Sequence, residues 1–204
     1  CPALRAAAST ARAPTAPTVE RQSKAARAVL RACALPPFAY DATAMEADDL
    51  FVRITSDTVL SPFETATVFG GPPRPLVVDL GCGKGRFLLA HARRHPDRWH
   101  LGVDRMLGRL RKVARGARRL GLTNVRLLRM DALYAVTYLL PRSGVREMFI
   151  AFPDPWPKLR HHRHRLFGPA FLDALAATLE PGGMVHVATD HLPYFDVIHH
   201  VVTH

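Results

Sequence analysis

The chain has 204 residues, and its 28 Lys and Arg against 17 Asp and Glu give a net charge of +11. This length predicts a single domain, and this charge favours a polyanionic partner such as nucleic acid. No stretch approaches the roughly 20 consecutive apolar residues that a membrane span requires. The three cysteines are widely spaced and form neither a zinc motif nor a disulfide framework, which indicates a reducing compartment.

The first 40 residues are rich in Ala, Arg and Pro and contain one acid, Glu20. This composition predicts a disordered basic tail over residues 1–43, followed by a folded domain over 44–204. It is also typical of organellar transit peptides, which are Arg-rich and acid-poor. We expect a cytoplasmic protein, either a monomer or a weak homodimer, with organellar import as the alternative location. Cys1 in place of an initial Met indicates a start that is missing or misassigned.

Ser61-Pro62-Phe63-Glu64 has the form of a capping box with Pro at the first helical position, and it predicts a short helix that ends near Phe69. From residue 76 onward, strand-like apolar runs alternate with helical periodicity. We predict strands over 76–80, 100–104, 125–129, 147–152 and 184–188, and helices over 85–95, 106–120, 132–140, 169–179 and from about 193 onward. Pro181-Gly182-Gly183 should separate the last strand from the helix before it. This alternation predicts an α/β fold with a mostly parallel, doubly wound sheet.

A glycine-rich turn follows the first predicted strand, with the sequence Asp79-Leu80-Gly81-Cys82-Gly83-Lys84-Gly85. Glycines allow the backbone to turn tightly and to approach a ligand closely. The spacing is G-x-G-x-G with an acid before it, which suits the methionine end of S-adenosylmethionine better than a dinucleotide pyrophosphate. The alternative is a tight strand-to-helix turn that binds nothing. Cys82 is interpreted as a small neutral filler.

Two more acids stand at strand ends, Asp104 after the second strand and Asp131 after the third. Asp104 could accept hydrogen bonds from ribose hydroxyls, and Asp131, beside Ala132, could accept one from an adenine amino group. Each acid could equally cap the helix that follows it. Acids at three successive strand ends favour the ligand interpretation over capping alone.

The most informative segment follows the fourth predicted strand and reads Phe152-Pro153-Asp154-Pro155-Trp156-Pro157-Lys158, with cations and histidines continuing to Arg165. Its three prolines stiffen the backbone and exclude both helix and sheet ladder. Because ligands bind beyond the carboxyl ends of strands in open α/β sheets, we interpret it as an active-site loop with an anion-binding extension. Arginines interleave the histidines and would repel a metal ion, so phosphate contact is favoured. Trp156 either stacks on a base or anchors the loop.

Together these motifs resemble those of class I S-adenosylmethionine-dependent methyltransferases, and the segment after the fourth strand resembles that of bacterial tRNA (guanine-N7)-methyltransferases. Val68-Phe69-Gly70 and Thr189-Asp190 fit the same family, so that the resemblance covers about residues 65–200. The resemblance implies a Rossmann-like class I methyltransferase fold, S-adenosylmethionine as cofactor and tRNA as partner. The implied reaction is methyl transfer to N7 of guanosine 46 in the tRNA variable loop.

The resemblance also implies roles for individual residues. Asp154 falls on the catalytic position, where it would position the guanine and stabilise the positive charge that methylation leaves on the purine. Lys158 and Asp190 fall on substrate-binding positions. The expected RNA contacts are Arg160, Arg163 and Arg165. The expected cofactor-binding residues are Asp79, Gly81, Gly83, Gly85, Asp104, Asp131 and Ala132.

Members of this family continue past the Thr-Asp helix into two more strands, the last of which carries a Thr-x-x-Glu element. The sequence reaches His204 without that element, so we expect the C-terminal strand pair to be missing. The alternatives are an inactive or truncated RNA-binding module and a methyltransferase for another RNA site. A small-molecule substrate is disfavoured by the basic segment, and a nicotinamide dehydrogenase by the glycine spacing.

Overall fold

The computed structural model describes residues 49–203, which belong to one compact unit. The predicted basic tail and the predicted domain start at residue 44 lie outside these residues and stay predictions. The strands are β1 (Leu76–Leu80), β2 (Trp99–Asp104), β3 (Val125–Arg129), β4 (Val145–Ala151) and β5 (Leu179–Ala188). The helices are α1 (Thr65–Phe69), α2 (Arg86–Arg94), α3 (Leu107–Arg119), α4 (Ala132–Tyr134) with a π-helical turn after it (Ala135–Leu139), α5 (Pro169–Thr178) and α6 (Leu192–Thr203). None of the helices within residues 49–203 is long and apolar enough to cross a membrane.

The five strands form one sheet in the order β3-β2-β1-β4-β5, and every neighbouring pair is parallel. The chain leaves β1 toward β2 on one side and later returns to β4 on the other side, so the strand order reverses between β1 and β4. Leu80, the last residue of β1, is in register with Val103 of β2 and Ile150 of β4. The carboxyl ends of these strands therefore open at one edge, and ligands bind at such a reversal point in this architecture.

Helices cover both faces of the sheet. On one face, Val78 of β1 joins a core cluster with Phe171 of α5 and Tyr194 of α6, all of them almost fully buried. On the other face, Gly102 of β2 lies so close to Leu88 of α2 that a Cβ at Gly102 would be 2.6 Å from a Leu88 methyl carbon. Strands buried on both sides are typical of parallel sheets. The predicted α/β, parallel and doubly wound architecture is confirmed.

The helix start predicted from the capping box is wrong. Helix α1 begins at Thr65, and Glu64 at its N-cap makes no side-chain capping bond. The reason is tertiary, because the Phe63 N–H donates to the Leu139 carbonyl at 2.9 Å and so ties the chain to the π-helical turn. The predicted end is confirmed, since Gly70 takes a left-handed φ of 68° and stops the helix.

The start predicted for the last strand is also wrong. The sequence predicts a strand only from residue 184, whereas β5 begins at Leu179, directly after α5. The expected break, Pro181-Gly182-Gly183, is instead a bulge inside the strand, because Leu179 pairs with Val145 and the register resumes at Met184. Gly183 fits there because a Cβ at this position would lie 2.9 Å from the Val145 carbonyl oxygen.

Candidate active site

The glycine-rich turn after β1 forms a tight backbone loop. Gly81, Gly83 and Gly85 all have left-handed φ angles, of 82°, 56° and 71°. Gly85 is also required by packing, because a Cβ there would lie 2.6 Å from a methyl carbon of Val113 on α3. A Cβ at Gly81 would meet no atom within 4 Å, and one at Gly83 would meet only a carbonyl oxygen at 3.9 Å. The loop therefore leaves open space above Gly81 and Gly83, where a ligand can approach the backbone.

Asp104 fixes this loop from the end of β2. Its carboxylate is buried and accepts the Gly83 N–H at 3.0 Å and the Met106 N–H at 2.7 Å. The guanidinium of Arg109, in the first turn of α3, lies 3.7 Å from the same carboxylate. A carboxylate offers about four lone-pair sites, so these contacts leave room for hydroxyl groups of a ligand. Arg109 is a site residue that the sequence reasoning missed, although its helical position just after a strand-end acid could have suggested it.

Asp79 lies deeper in the same corner, at 4 % exposure near the end of β1. Burial, and secondly the negative charge of Asp104, raise the pKa of Asp79 to about 7. Two neighbouring carboxylates in a half-closed corner repel each other, and a cationic ligand would relieve that repulsion. The corner is therefore electrostatically suited to a positively charged group.

Cys82 lies inside the loop and is a buried free cysteine. Burial, and then the charges of Asp79 and Asp104, raise the pKa of its thiol far above the usual range. A thiol held neutral in this way is a poor nucleophile. This agrees with the interpretation of Cys82 as a neutral filler.

Asp131 caps a helix in this structure. It stands at the N-cap of α4, just before Ala132, and its side chain accepts the N–H groups of Leu133 at 3.0 Å and Tyr134 at 3.3 Å. Its carboxylate is 40 % exposed and lies 3.7 Å from the Arg105 guanidinium. The capping alternative is therefore realised, and a contact of this residue with a cofactor stays a prediction.

The loop after β4 lies next to the glycine loop, because β4 is the neighbour of β1. It carries two non-glycine residues with left-handed φ angles, Phe152 at 53° and Trp156 at 42°. The backbone at its start is held to β5, since the Phe152 N–H donates to the Ala188 carbonyl at 2.7 Å. Asp154 lies midway between the two aromatic residues and is exposed. The loop thus presents a carboxylate to solvent at the point where the strand order reverses.

The cationic segment forms a 3-10 helix over Leu159–His164, an element that the sequence pattern does not predict. Lys158 is its N-cap residue, and Arg160 and Arg163 are exposed. Arg165 differs from them, because its Nε–H donates to the Pro155 carbonyl at 2.8 Å and its guanidinium lies 4.9 Å from the centre of the Tyr194 ring. Arg165 therefore fastens the loop to α6, and its predicted contact with RNA stays a prediction.

Trp156 packs inside the loop. Its ring meets His161 edge-on with the ring centres 5.6 Å apart, and it meets His164 at 5.2 Å. This packing favours the anchoring interpretation over stacking on a base. Within residues 49–203, no group of three His, Cys, Asp or Glu side chains is placed to hold a metal ion.

Asp190 follows β5 and is exposed at the same edge of the sheet as Asp154. Next to it, the Thr189 hydroxyl accepts the His191 N–H at 3.2 Å, which shapes the turn into α6. The structure thus brings most of the sequence-predicted residues to one edge, in two groups. One group surrounds the ends of β1 and β2, and the other follows β4 and β5.

A parallel sheet of this order, with a glycine loop after β1 and acids at the ends of β1, β2 and β3, defines a Rossmann-like class I methyltransferase domain. A model of the family described as "Putative methyltransferase" matches residues 73–204, and the chain belongs to that family.

Curated relatives carry a more specific name. A tRNA (guanine-N(7)-)-methyltransferase of Nocardia farcinica is 36% identical over 151 residues, which are 74% of this chain and 56% of the relative. The enzymes of the same name from Halorhodospira halophila and Leifsonia xyli are each 42% identical, over 61% and 62% of this chain and 54% and 56% of their own lengths. The family resemblance inferred from the motifs is confirmed. The chain spans little more than half the length of these relatives.

Proposed function

We propose that this protein transfers a methyl group from S-adenosylmethionine to N7 of a guanine in tRNA. The observation that carries the proposal is that two loops follow neighbouring strands at the β1/β4 reversal point. One loop combines open glycine backbone with the buried acids Asp79 and Asp104, and the other presents the exposed Asp154 beside a cationic helix. The relatives named tRNA (guanine-N(7)-)-methyltransferase support the same reaction.

The corner at the ends of β1 and β2 fits the proposed cofactor in charge and in shape. When bound, S-adenosylmethionine supplies an electrophilic methyl group on a positively charged sulfonium. That positive charge would stabilise the ionised form of Asp79, which burial disfavours and whose pKa is therefore raised. The remaining lone pairs of Asp104 would accept ribose hydroxyls, and Gly81 and Gly83 would let the methionine end approach the backbone. Asp131 and Ala132 are proposed to contact the adenine.

For methyl transfer to guanine N7, the protein has to position the base and to stabilise the charge that develops on it. Guanine N7 has an in-plane lone pair and no proton, so the reaction needs no general base. The methylated purine carries a positive charge, and an Asp154 carboxylate beside it would stabilise that charge as it develops. The stiff Pro-Asp-Pro backbone would hold this carboxylate in place and so reduce the entropy that positioning costs.

Two cationic surfaces support an RNA substrate. The first is the segment with Lys158, Arg160 and Arg163, directly beside Asp154. The second is an outer stripe of α3, composed of Arg111, Lys112, Arg115 and Arg119. These four side chains are exposed, and no carboxylate within residues 49–203 pairs with them. Unpaired cations spaced along one helix side are free to contact phosphates, which are the main source of RNA affinity.

A labelled-methyl assay tests the proposed function. The chain is incubated with S-adenosylmethionine carrying a labelled methyl group and with unfractionated tRNA, and the RNA is then digested to nucleosides. The proposal predicts label in 7-methylguanosine. Label in another nucleoside would indicate a methyltransferase for a different RNA site. Binding of tRNA with no transfer would support the RNA-binding module instead.

A further inference from the structure

Phe152 combines two features that folding alone does not favour. Its φ of 53° lies in the left-handed region, which a bulky side chain rarely adopts. The residue is also 65 % exposed, so its ring contributes little to the core. The surrounding structure holds the residue there, because its N–H donates to the Ala188 carbonyl at 2.7 Å. Strain that is held in place near a candidate active site indicates a function for the side chain.

The position of Phe152 relates it to both halves of the site. It is the first residue after β4, two residues before Asp154. Two residues before Phe152, Ile150 of β4 is in register with Leu80 of β1, which directly precedes Gly81 of the glycine loop. Phe152 therefore stands at the edge between the loop proposed to hold the cofactor and the carboxylate proposed to act on the base.

Trp156 provides an internal comparison. It also has a left-handed φ and also lies two residues from Asp154, on the other side. Its ring, however, packs against His161 and His164, and the residue is only 36 % exposed. Of the two aromatic residues that flank Asp154, Phe152 is therefore the more exposed.

We infer that the Phe152 ring is the stacking platform that holds the target purine beside Asp154, an inference that rests on the proposed function. Every base offers a flat π-face to an aromatic side chain, and such stacking contributes strongly to the binding of unpaired bases. Methylation at N7 makes the purine cationic, and a cation is attracted to the face of an aromatic ring. The contact thus strengthens as the reaction proceeds, so Phe152 stabilises the transition state more than the bound substrate.

The test uses three substitutions of Phe152 and one control. Phe152→Tyr keeps the ring, Phe152→Leu keeps an apolar side chain without a ring, and Phe152→Ala removes both. Phe195→Leu is the control, because Phe195 is 48 % exposed on α6 and this substitution also removes an aromatic ring. The substrate is the tRNA whose methylated guanosine has been mapped with the wild-type chain. A second substrate carries 2-aminopurine at that nucleotide, because the fluorescence of this base is quenched when it stacks.

We expect kcat/KM for methylation to fall about 10- to 100-fold in Phe152→Leu and Phe152→Ala, the range that the loss of one base–aromatic stack produces. Phe152→Tyr and Phe195→Leu should stay within about 3-fold of the wild type. Quenching of 2-aminopurine on binding should persist in the wild type, Phe152→Tyr and Phe195→Leu, and it should be lost in the other two variants. Affinity for S-adenosylmethionine, measured by calorimetry, should be equal in all five proteins.

Each failure has its own pattern. If the wild type methylates guanine N7 and Phe152→Leu does so equally well with full quenching, the stacking role is wrong and the proposed function stands. If Phe152→Leu loses cofactor affinity together with activity, the ring supports the cofactor loop instead, and the inference is again wrong. A wild-type chain that forms no 7-methylguanosine refutes the proposed function, and the role of Phe152 with it.

Discussion

The two halves of the candidate site are built in opposite ways. At the ends of β1 and β2, Asp79 and Asp104 are buried, and Asp104 holds the glycine loop through a backbone N–H bond. After β4, Phe152 and Asp154 are exposed, and after β5, Asp190 is exposed. The first half is a closed corner that suits a small, cationic ligand. The second half is open, as contact with a macromolecule requires. The comparison predicts that substitutions in the two halves affect different measurements.

Asp154→Asn should have the largest effect. It should lower the rate of methyl transfer, which depends on the open half, without changing cofactor binding in the closed half. Asn keeps the size of the side chain but loses the charge that would stabilise the methylated purine. We expect the rate of methyl transfer to fall about 10²–10³-fold, with unchanged calorimetric affinity for S-adenosylmethionine. Asp173→Asn is a matched control, because it makes the same exchange at an exposed position on α5. Equal loss of cofactor affinity and rate in Asp154→Asn would contradict the division into halves.

Asp79→Asn, in the closed half, should change how the stability of the protein depends on pH. Because the folded-state pKa of about 7 lies above the ordinary value of 3.8, folding favours the protonated form. The stability from this site is therefore complete below about pH 4 and is lost as the pH rises toward 7. The substitution removes this dependence. The free energy of unfolding of the Asp79→Asn variant should therefore exceed that of the wild type by about 2–4 kcal/mol at pH 8.

Urea unfolding of both proteins at pH 5 and pH 8 checks this prediction. Burial lowers the pKa of His100 to about 4, which costs stability as the pH falls below 6.5, but that contribution is common to both proteins. The difference between them therefore isolates Asp79. A difference in unfolding free energy that does not grow between pH 5 and pH 8 would mean that folding does not raise the pKa of Asp79.

Asp104→Ala should weaken the binding of S-adenosylmethionine in the closed half. The substitution removes a charged acceptor from the proposed ribose site and the bond that holds Gly83. We expect a loss of roughly 1.5–3 kcal/mol in binding of S-adenosylmethionine, measured by calorimetry. Asp97→Ala, at an exposed position before β2, should bind as the wild type does. Unchanged affinity in Asp104→Ala would remove this residue from the site.

The smallest predicted effect tests whether RNA contacts α3, which follows β2 in the closed half. The double variant Lys112→Gln, Arg115→Gln neutralises two cations of the α3 stripe. If both contact phosphates, the slope of log affinity for tRNA against log salt should fall by roughly one unit per contact. Arg93→Gln, Arg94→Gln makes the same charge change in the last turn of α2 and should leave the slope unaltered. Equal slopes in both double variants would confine RNA to the open half.

The sequence predicts the closed half better than the open half. The runs 76–80 and 125–129 are strands with the predicted bounds, and the position of the acids at the strand ends follows from the parallel order. The bulge at Pro181-Gly182-Gly183 could not be predicted, because the same residues are typical of turns and only pairing with β4 makes them a strand.

The features missed in the open half depend on contacts between distant segments. The left-handed backbone at Phe152 is held by a bond to Ala188 of β5, and no local pattern encodes it. Arg165 likewise looks like one more cation in a basic run, yet it lies over the ring of Tyr194 on α6. The chemical types of the site residues are thus readable from the sequence, whereas their division into surface contacts and loop supports is not.

The most direct test of the proposed reaction changes one atom of the substrate. Two transcripts of the tRNA proposed as substrate are compared, one with guanosine and one with 7-deazaguanosine at the mapped nucleotide. The second transcript has a C–H group in place of N7 and keeps the other edges of the base. We expect full methylation of the first transcript, none of the second, and similar binding of both. Methylation of the 7-deazaguanosine transcript would contradict the proposal that the two halves of the site meet to methylate guanine N7.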